Sequence, residues 1–169
     1  MDVLVEAKGW LTWPSRRVRC ALGRGGVRAD KREGDGATPA GAFPLREVWY
    51  RPDRASPPPA TALPLRTIGA ADGWCDDPRD PSYNRPIRLP YAGRHERLWR
   101  EDTLYDVLAV IGYTDDPPEP GRGSAIFLHL ARPDFSATEG CVALALPDLL
   151  SLLADCRPGD RLIVAGDVP

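Results

Sequence analysis

Proline is spread along this chain from Pro14 to Pro169, nineteen times in 169 residues. Each proline fixes its own φ and removes a backbone donor, so a helix interior tolerates it poorly. Long helices are therefore largely excluded, and short extended segments joined by stiff turns are what remains. The apolar residues agree. Residues 2–7 and 10–13 read as two strands about a turn at Lys8-Gly9, and residues 17–22 alternate as a third, with Cys20 inward. Residues 43–50, 63–68, 105–113 and 161–165 read as further strands, with 105–113 central in its sheet. One helix is expected. Pro147 suits a first helical position, Leu149, Leu150, Leu152 and Leu153 make its apolar side, and Pro158-Gly159 stops it. The fold class is mainly β, with one short α-helix and long irregular loops, in one domain over residues 1–169.

The longest of those loops is expected at residues 72–102, rich in arginine and aromatic residues around Tyr83, Arg85, Arg88 and His95. It reads as a lid or substrate wall, or more blandly as a solvated surface loop with its arginines in water. A second crowded turn runs from Lys31 to Phe43, where Gly, Asp, Thr and Pro alternate, and such a structured loop borders a site or packs on the core.

The chemistry concentrates in residues 129–144, HLARPDFSATEGCVAL. One of only two histidines is followed twelve residues later by a cysteine directly after a glycine, with apolar runs 125–128 and 142–146 on either side. Both runs read as buried strands. Taken singly, a buried Cys or His is usually inert core. The pattern here suits Cys141 as nucleophile and His129 as base at the ends of neighbouring strands. A thiolate attacks carbonyls where a thiol barely does, and an adjacent imidazole can take the proton and later return it to a leaving amine. Gly140 removes a Cβ beside Cys141, so a substrate carbonyl can approach and nearby backbone N–H groups can face its oxygen.

Other chemistries fit poorly. A net charge of -2 with 27% charged residues offers no strong field for nucleic acid or an anionic membrane. The cysteines at 20, 75, 141 and 156 make no CxxC, and no zinc-ligand spacing appears. A domain of this size needs no disulfide. Gly23–Gly26 lacks the Lys-Ser/Thr of a phosphate loop, and the acidic turn 115–121 lacks a calcium-loop pattern. No apolar run spans a membrane, and residues 1–8 have neither the basic start nor the apolar core of a secretory signal. On its face the sequence is that of a soluble protein without an encoded export route.

Two motifs in fixed order resemble those of the L,D-transpeptidase (YkuD-type) catalytic domain. The first is Gly34-Asp35-Gly36-Ala37-Thr38-Pro39-Ala40-Gly41-Ala42-Phe43. The second is the strand ending in His129 followed by Thr138-Glu139-Gly140-Cys141-Val142. The resemblance implies a mostly antiparallel β-sandwich whose helix follows the Cys strand. It implies peptidoglycan stem peptides as donor and acceptor, acting in the periplasm or cell wall. Cys141 would form a thioester with loss of a terminal D-amino acid, and an amine of a second stem would resolve it. The exchange conserves an acyl bond, so no cofactor, ATP or metal is expected, and the resemblance makes carbapenems acylating inhibitors. A carbonyl next to His129 would orient the imidazole. Backbone N–H groups of Gly140 and Cys141, with Tyr113 adding a hydroxyl, would form the oxyanion hole. A monomer is expected.

The chain also departs from the family pattern. Glu139 stands where a His is usual, Ala143 where an Arg or Asn often stands, and Leu130 where Gly follows the His, and the loop from His129 to Cys141 is short. Substrate contacts must be rebuilt, with Arg132, Arg85 or Arg88 as candidates for a carboxylate and His95 as a second base or contact. Three rival readings stay open. They are an L,D-carboxypeptidase or amidase using the same pair, a non-catalytic wall-binding module, and an unrelated cytoplasmic protein.

Overall fold

The computed structural model describes residues 1–166. In chain order the strands are β1 (Asp2–Glu6), β2 (Trp10–Trp13), β3 (Arg16–Ala21), β4 (Val27–Arg28), β5 (Thr38–Pro39), β6 (Gly41–Tyr50) and β7 (Leu65–Thr67). They continue as β8 (Asp72–Cys75), β9 (Pro86–Arg88), β10 (His95–Arg97), β11 (Val107–Ile111), β12 (Phe127–Leu130) and β13 (Val142–Leu144). Helix α1 (Leu146–Asp155) and β14 (Arg161–Val164) complete the chain.

Two long strands each belong to two sheets. β3 pairs with β2 through Arg16–Arg19 and with β13 through Cys20 and Ala21. β6 pairs with β14 through residues 41–44 and with β11 through residues 45–50. One layer thus runs β3-β2-β1-β14-β6 and the other β3-β13-β12-β11-β6-β7, joined at both edges into a sandwich. Most pairs are antiparallel, while β1 with β14, β12 with β13 and β6 with β7 are parallel. Period-two alternation decides what fills the interior. Val3, Val5, Leu11, Trp13, Leu162 and Val164 turn inward between the layers, where α1 adds Leu149, Leu152 and Leu153. The apolar run after Cys141 divides: the strand ends at Leu144, Ala145 caps the helix, and Leu146 already belongs to α1. Pro147 sits in the first turn, where its missing N–H costs nothing.

Strand β11 is buried on both faces. Val107, Ala109 and Ile111 enter the main core, while Leu108 and Val110 face a second apolar layer with Trp49, Trp74, Leu98 and Phe127. What covers that second face corrects the reading of residues 72–102. The stretch is a three-stranded antiparallel sheet, β10-β8-β9, laid over β11 and β12. Its strands are three or four residues long and break the alternation with Gly73, Pro86 and charged side chains, so its pairing lies in long-range contact.

Asn84 locks this sheet to the sandwich. It is 4% exposed and holds φ at 55°, a left-handed value that Asn tolerates better than most residues. Its Oδ1 accepts the Trp74 indole N–H at 2.9 Å and the Ala125 amide at 3.1 Å, and its Nδ2 donates to the carbonyls of Tyr113 and Thr114 at 2.9 Å. Asn84→Ala leaves these buried groups without partners, which should cost roughly 3 kcal/mol. A calorimetric Tm about 10 °C lower is expected; an unchanged Tm would mean that the indole and the Ala125 amide find other partners.

Candidate active site

Strand parity builds the site. In the parallel pair β12–β13, Leu128 lies beside Val142 and His129 beside Ala143. Leu128, Leu130, Val142 and Leu144 face the main core, so Phe127, His129 and Ala143 leave by the opposite face. Cys141, one residue before β13, shares that face: its Sγ accepts the Phe127 amide at 3.3 Å. The small sheet roofs this face and leaves a cavity of about 470 Å³, lined by both Cys141 and His129. The register of β12 and β13 sends both residues to this one cavity.

The backbone around the thiol is unusual. Ala125 has φ of 52°, a left-handed value that costs a residue with a Cβ roughly 1–2 kcal/mol. It is held there by Asn84, and its carbonyl accepts the Cys141 S–H at 3.3 Å. Gly140 has φ of 132°, and a Cβ there would lie 2.8 Å from the Ala37 carbonyl oxygen. The two sequence motifs therefore touch each other: the Gly34–Phe43 turn packs its backbone on the residue before the cysteine. Thr138 completes the junction, since its hydroxyl donates to the Cys141 carbonyl at 2.6 Å and its amide pairs with Leu22. Gly140→Ala should displace Cys141 and lower any acylation at least about 10²-fold, because reacting groups tolerate little misplacement. Labelling of Cys141 by an acyl donor, followed by mass, checks this.

Burial disfavours the charged form of both side chains. Leu130's carbonyl oxygen lies 2.9 Å from His129 Nδ1 and can only accept, so Nδ1 carries the proton and Nε2 is the basic nitrogen. Burial lowers the imidazole to about 4, against an upward pull from that Leu130 bond. Burial, seconded by the charge of Glu96, pushes the Cys141 thiol up to about 12, and the Phe127 amide pulls the other way. Both shifts oppose a standing thiolate–imidazolium pair.

The remaining expected residues separate. Arg132 lines the cavity, is exposed, and makes no ion pair among the described residues. His95 lines it too, with Nδ1 2.7 Å from the Gly93 carbonyl. Arg85 opens on a different cavity of about 210 Å³ beside Trp74 and Arg46, and Arg88 pairs with Asp72 on the small sheet. Neither reaches the thiol. Tyr113 is also elsewhere. Its odd position continues the inward face of β11, so its ring meets Phe43 at 5.3 Å and its hydroxyl donates to the Arg122 carbonyl at 2.6 Å. The expected amide donors are only partly available, because Gly140 N–H already donates to Thr138 Oγ1 at 3.1 Å.

Residues that sequence reasoning missed fill the gap. Tyr105 stands edge-on to His129 at 5.3 Å and donates its hydroxyl to Glu96 Oε1 at 2.6 Å. Arg100 reaches over the Tyr105 ring at 5.1 Å while gripping Asp102 through two bonds of 2.8 and 2.7 Å. Lys31, 2% exposed, donates to Asp35 Oδ1 at 2.8 Å on the floor of the motif turn. The density of charge in residues 94–102 was the only signal that could have flagged Glu96 and Arg100. Their direction depends on a sheet the sequence does not announce.

The chain is thus a mixed β-sandwich with one polar cavity lined by both a thiol and an imidazole. The family model for the L,D-transpeptidase catalytic domain (YkuD) matches residues 3–164, and the chain belongs to that family. This is a cysteine-dependent family acting on peptidoglycan peptides, a substrate that implies action outside the cytoplasm. No curated protein matches the sequence. Among solved structures the chain is similar to the helical cell shape determining protein Pgp2 from Campylobacter jejuni. Identity is 14% with a TM-score of 0.47, covering 99% of this chain and 48% of that one. The K307A mutant of the same protein matches at 14% and 0.46, covering 99% and 47%. The chain thus spans about half the length of those structures. No helix among the described residues is long and apolar enough to cross a membrane.

Proposed function

We propose that this chain is a peptidoglycan L,D-transpeptidase domain working in the periplasm or cell wall, with Cys141 as nucleophile and His129 as base. The observation that carries the reading is the shared face of β12 and β13, which puts thiol and imidazole in one cavity. A donor stem peptide enters with its scissile carbonyl over Cys141 Sγ. His129 Nε2 takes the thiol proton as sulfur adds to the carbonyl carbon. The oxyanion is met by the Cys141 amide, and His129 then gives the proton to the leaving D-amino acid. Arg132 is the cation best placed for a substrate carboxylate, since Lys31 and Arg100 are held by Asp35 and Asp102. An amine of the acceptor stem resolves the thioester.

The test is intact-protein mass spectrometry with a purified disaccharide tetrapeptide, with and without a tripeptide acceptor. A Cys141-dependent cross-linked dimer supports transfer. Release of tripeptide with no dimer makes the domain a hydrolase on the same thioester. With neither adduct nor product, the reading gives way to a wall-binding module. A carbapenem should add once to Cys141, and an ordinary penicillin poorly.

A further inference from the structure

We propose that Glu96 is a catalytic carboxylate of the second half-reaction: it receives the acceptor as an ammonium group and takes the proton that frees the amine to attack. This rests on the reading of Cys141 as the acylated nucleophile. The requirement comes from proton counting. An alkylamine arrives at neutral pH as an ammonium ion, without a lone pair. His129 can relay only the proton that ends on sulfur. A second group must accept the first proton before the nitrogen can react, and Cys141 and His129 do not supply one.

Glu96 is placed for that role. It lies on β10 opposite Trp74, whose ring meets Phe127 at 5.1 Å, so this strand pair faces the layer that holds Cys141. Its carboxylate lines the cavity shared by Cys141 and His129. Oε1 accepts the Tyr105 hydroxyl at 2.6 Å and lies 3.8 Å from Arg100 Nη1. Oε2 has no hydrogen-bond partner among the described residues, and the side chain is 28% exposed. Tyr105 holds the carboxylate and edges His129 at once, which fixes the spacing between the two proton acceptors. The charged groups lining the same cavity are Arg100, committed to Asp102, Lys31, committed to Asp35, the exposed Arg132, the carboxylates of Glu33, Asp76 and Glu139, and the imidazoles of His95 and His129. The unpartnered Oε2 leaves room for an incoming ammonium group beside the Arg100 contact at Oε1. Burial raises this carboxyl while Tyr105 and Arg100 hold it down, which suits a group that must exchange a proton.

The step balances. The ammonium gives one proton to Glu96, and the freed lone pair bonds to the thioester carbonyl carbon. One of the two N–H protons of the adduct passes to His129 Nε2, and the other stays on the new amide. The proton on His129 moves on to Sγ as the carbon–sulfur bond breaks. Amide, thiol and neutral imidazole result, and Glu96 returns its proton to solvent. Water as acceptor carries no such extra proton, so hydrolysis does not need Glu96.

Glu96→Gln separates these demands. With the disaccharide tetrapeptide and a tripeptide acceptor bearing a free side-chain amine, the acyl-enzyme mass should still appear, and should accumulate. Dimer formation should fall about 10²-fold or more while tripeptide release by water changes little. Raising the pH toward 10, where a far larger share of the amine arrives uncharged, should restore much of the dimer. The same variant should alkylate with iodoacetamide at lower pH than wild type, because Glu96's charge helps hold the thiol up. A merely structural role would not produce loss in one half-reaction, ease in the other and rescue by pH. Where Glu96→Gln fails to fold, Tyr105→Phe keeps the carboxylate but removes its downward pull, and dimer formation should shift to higher pH. An acyl-enzyme that transfers at the wild-type dimer-to-hydrolysis ratio in these variants overturns the role of Glu96 alone. Wild-type protein that never acylates on Cys141 overturns the underlying reading as well.

Discussion

Cys141→Ser should lower turnover by roughly 10⁴-fold or more while leaving the fold in place, the scale seen when a covalent nucleophile is removed. Serine is the informative replacement because it keeps a donor for the Ala125 carbonyl and an acceptor for the Phe127 amide. Alanine would strand both groups in a site where Cys141 is only 7% exposed. The hydroxyl is a far poorer nucleophile here than the thiol. Burial that already pushes the thiol to about 12 opposes an alkoxide further, and an imidazole lowered to about 4 is a weak base for it. A thermal melt within about 1 kcal/mol of wild type, with no acyl adduct by mass, is the expected result. Adduct formation at the wild-type rate would place the nucleophile elsewhere.

His129→Gln carries the second large effect, on rate and on acid stability together. Loss of a positioned base should slow acylation by about 10²- to 10⁴-fold. The stability effect follows from burial of a neutral imidazole. Its proton affinity falls from 6.5 to about 4 on folding, so between those values the unfolded chain binds more protons than the native one. Stability then rises with pH across that window, is complete above 6.5, and is lost as pH falls toward 4. The difference amounts to roughly 3 kcal/mol. Glutamine has no such titration, so the variant should lose less stability than wild type between pH 7 and pH 4.5. Urea denaturation at the two pH values measures it, and parallel losses would mean that His129 is not held neutral.

Much of this was legible in the chain because it is local. Prolines and alternating apolar residues marked β1, β2, β3, β6 and β11, and Pro147 with its leucines marked α1. Cys141 and His129 stood out as candidates for the same reason: each adjoins a short apolar run, and the two runs pair as β12 and β13. Tyr113 misled because a hydroxyl near the end of a central strand looks available. Parity along β11 points it into the main core, and Tyr105, eight residues earlier, meets the imidazole instead.

The sequence by itself determined the β class, the positions of most strands, the helix, and the two residues proposed to carry the chemistry. Tertiary structure alone decided the small sheet of residues 72–97, the left-handed Ala125 that aims a carbonyl at the thiol, and which arginine reaches the cavity. It also brought Glu96 and Tyr105 to the cavity that Cys141 and His129 line. The physical reason is range. Strand propensity and capping act over a few residues and are written in periodicity, whereas register between β12 and β13, and the contact of Asn84 with Ala125 across forty-one positions, exist only once the chain has closed on itself.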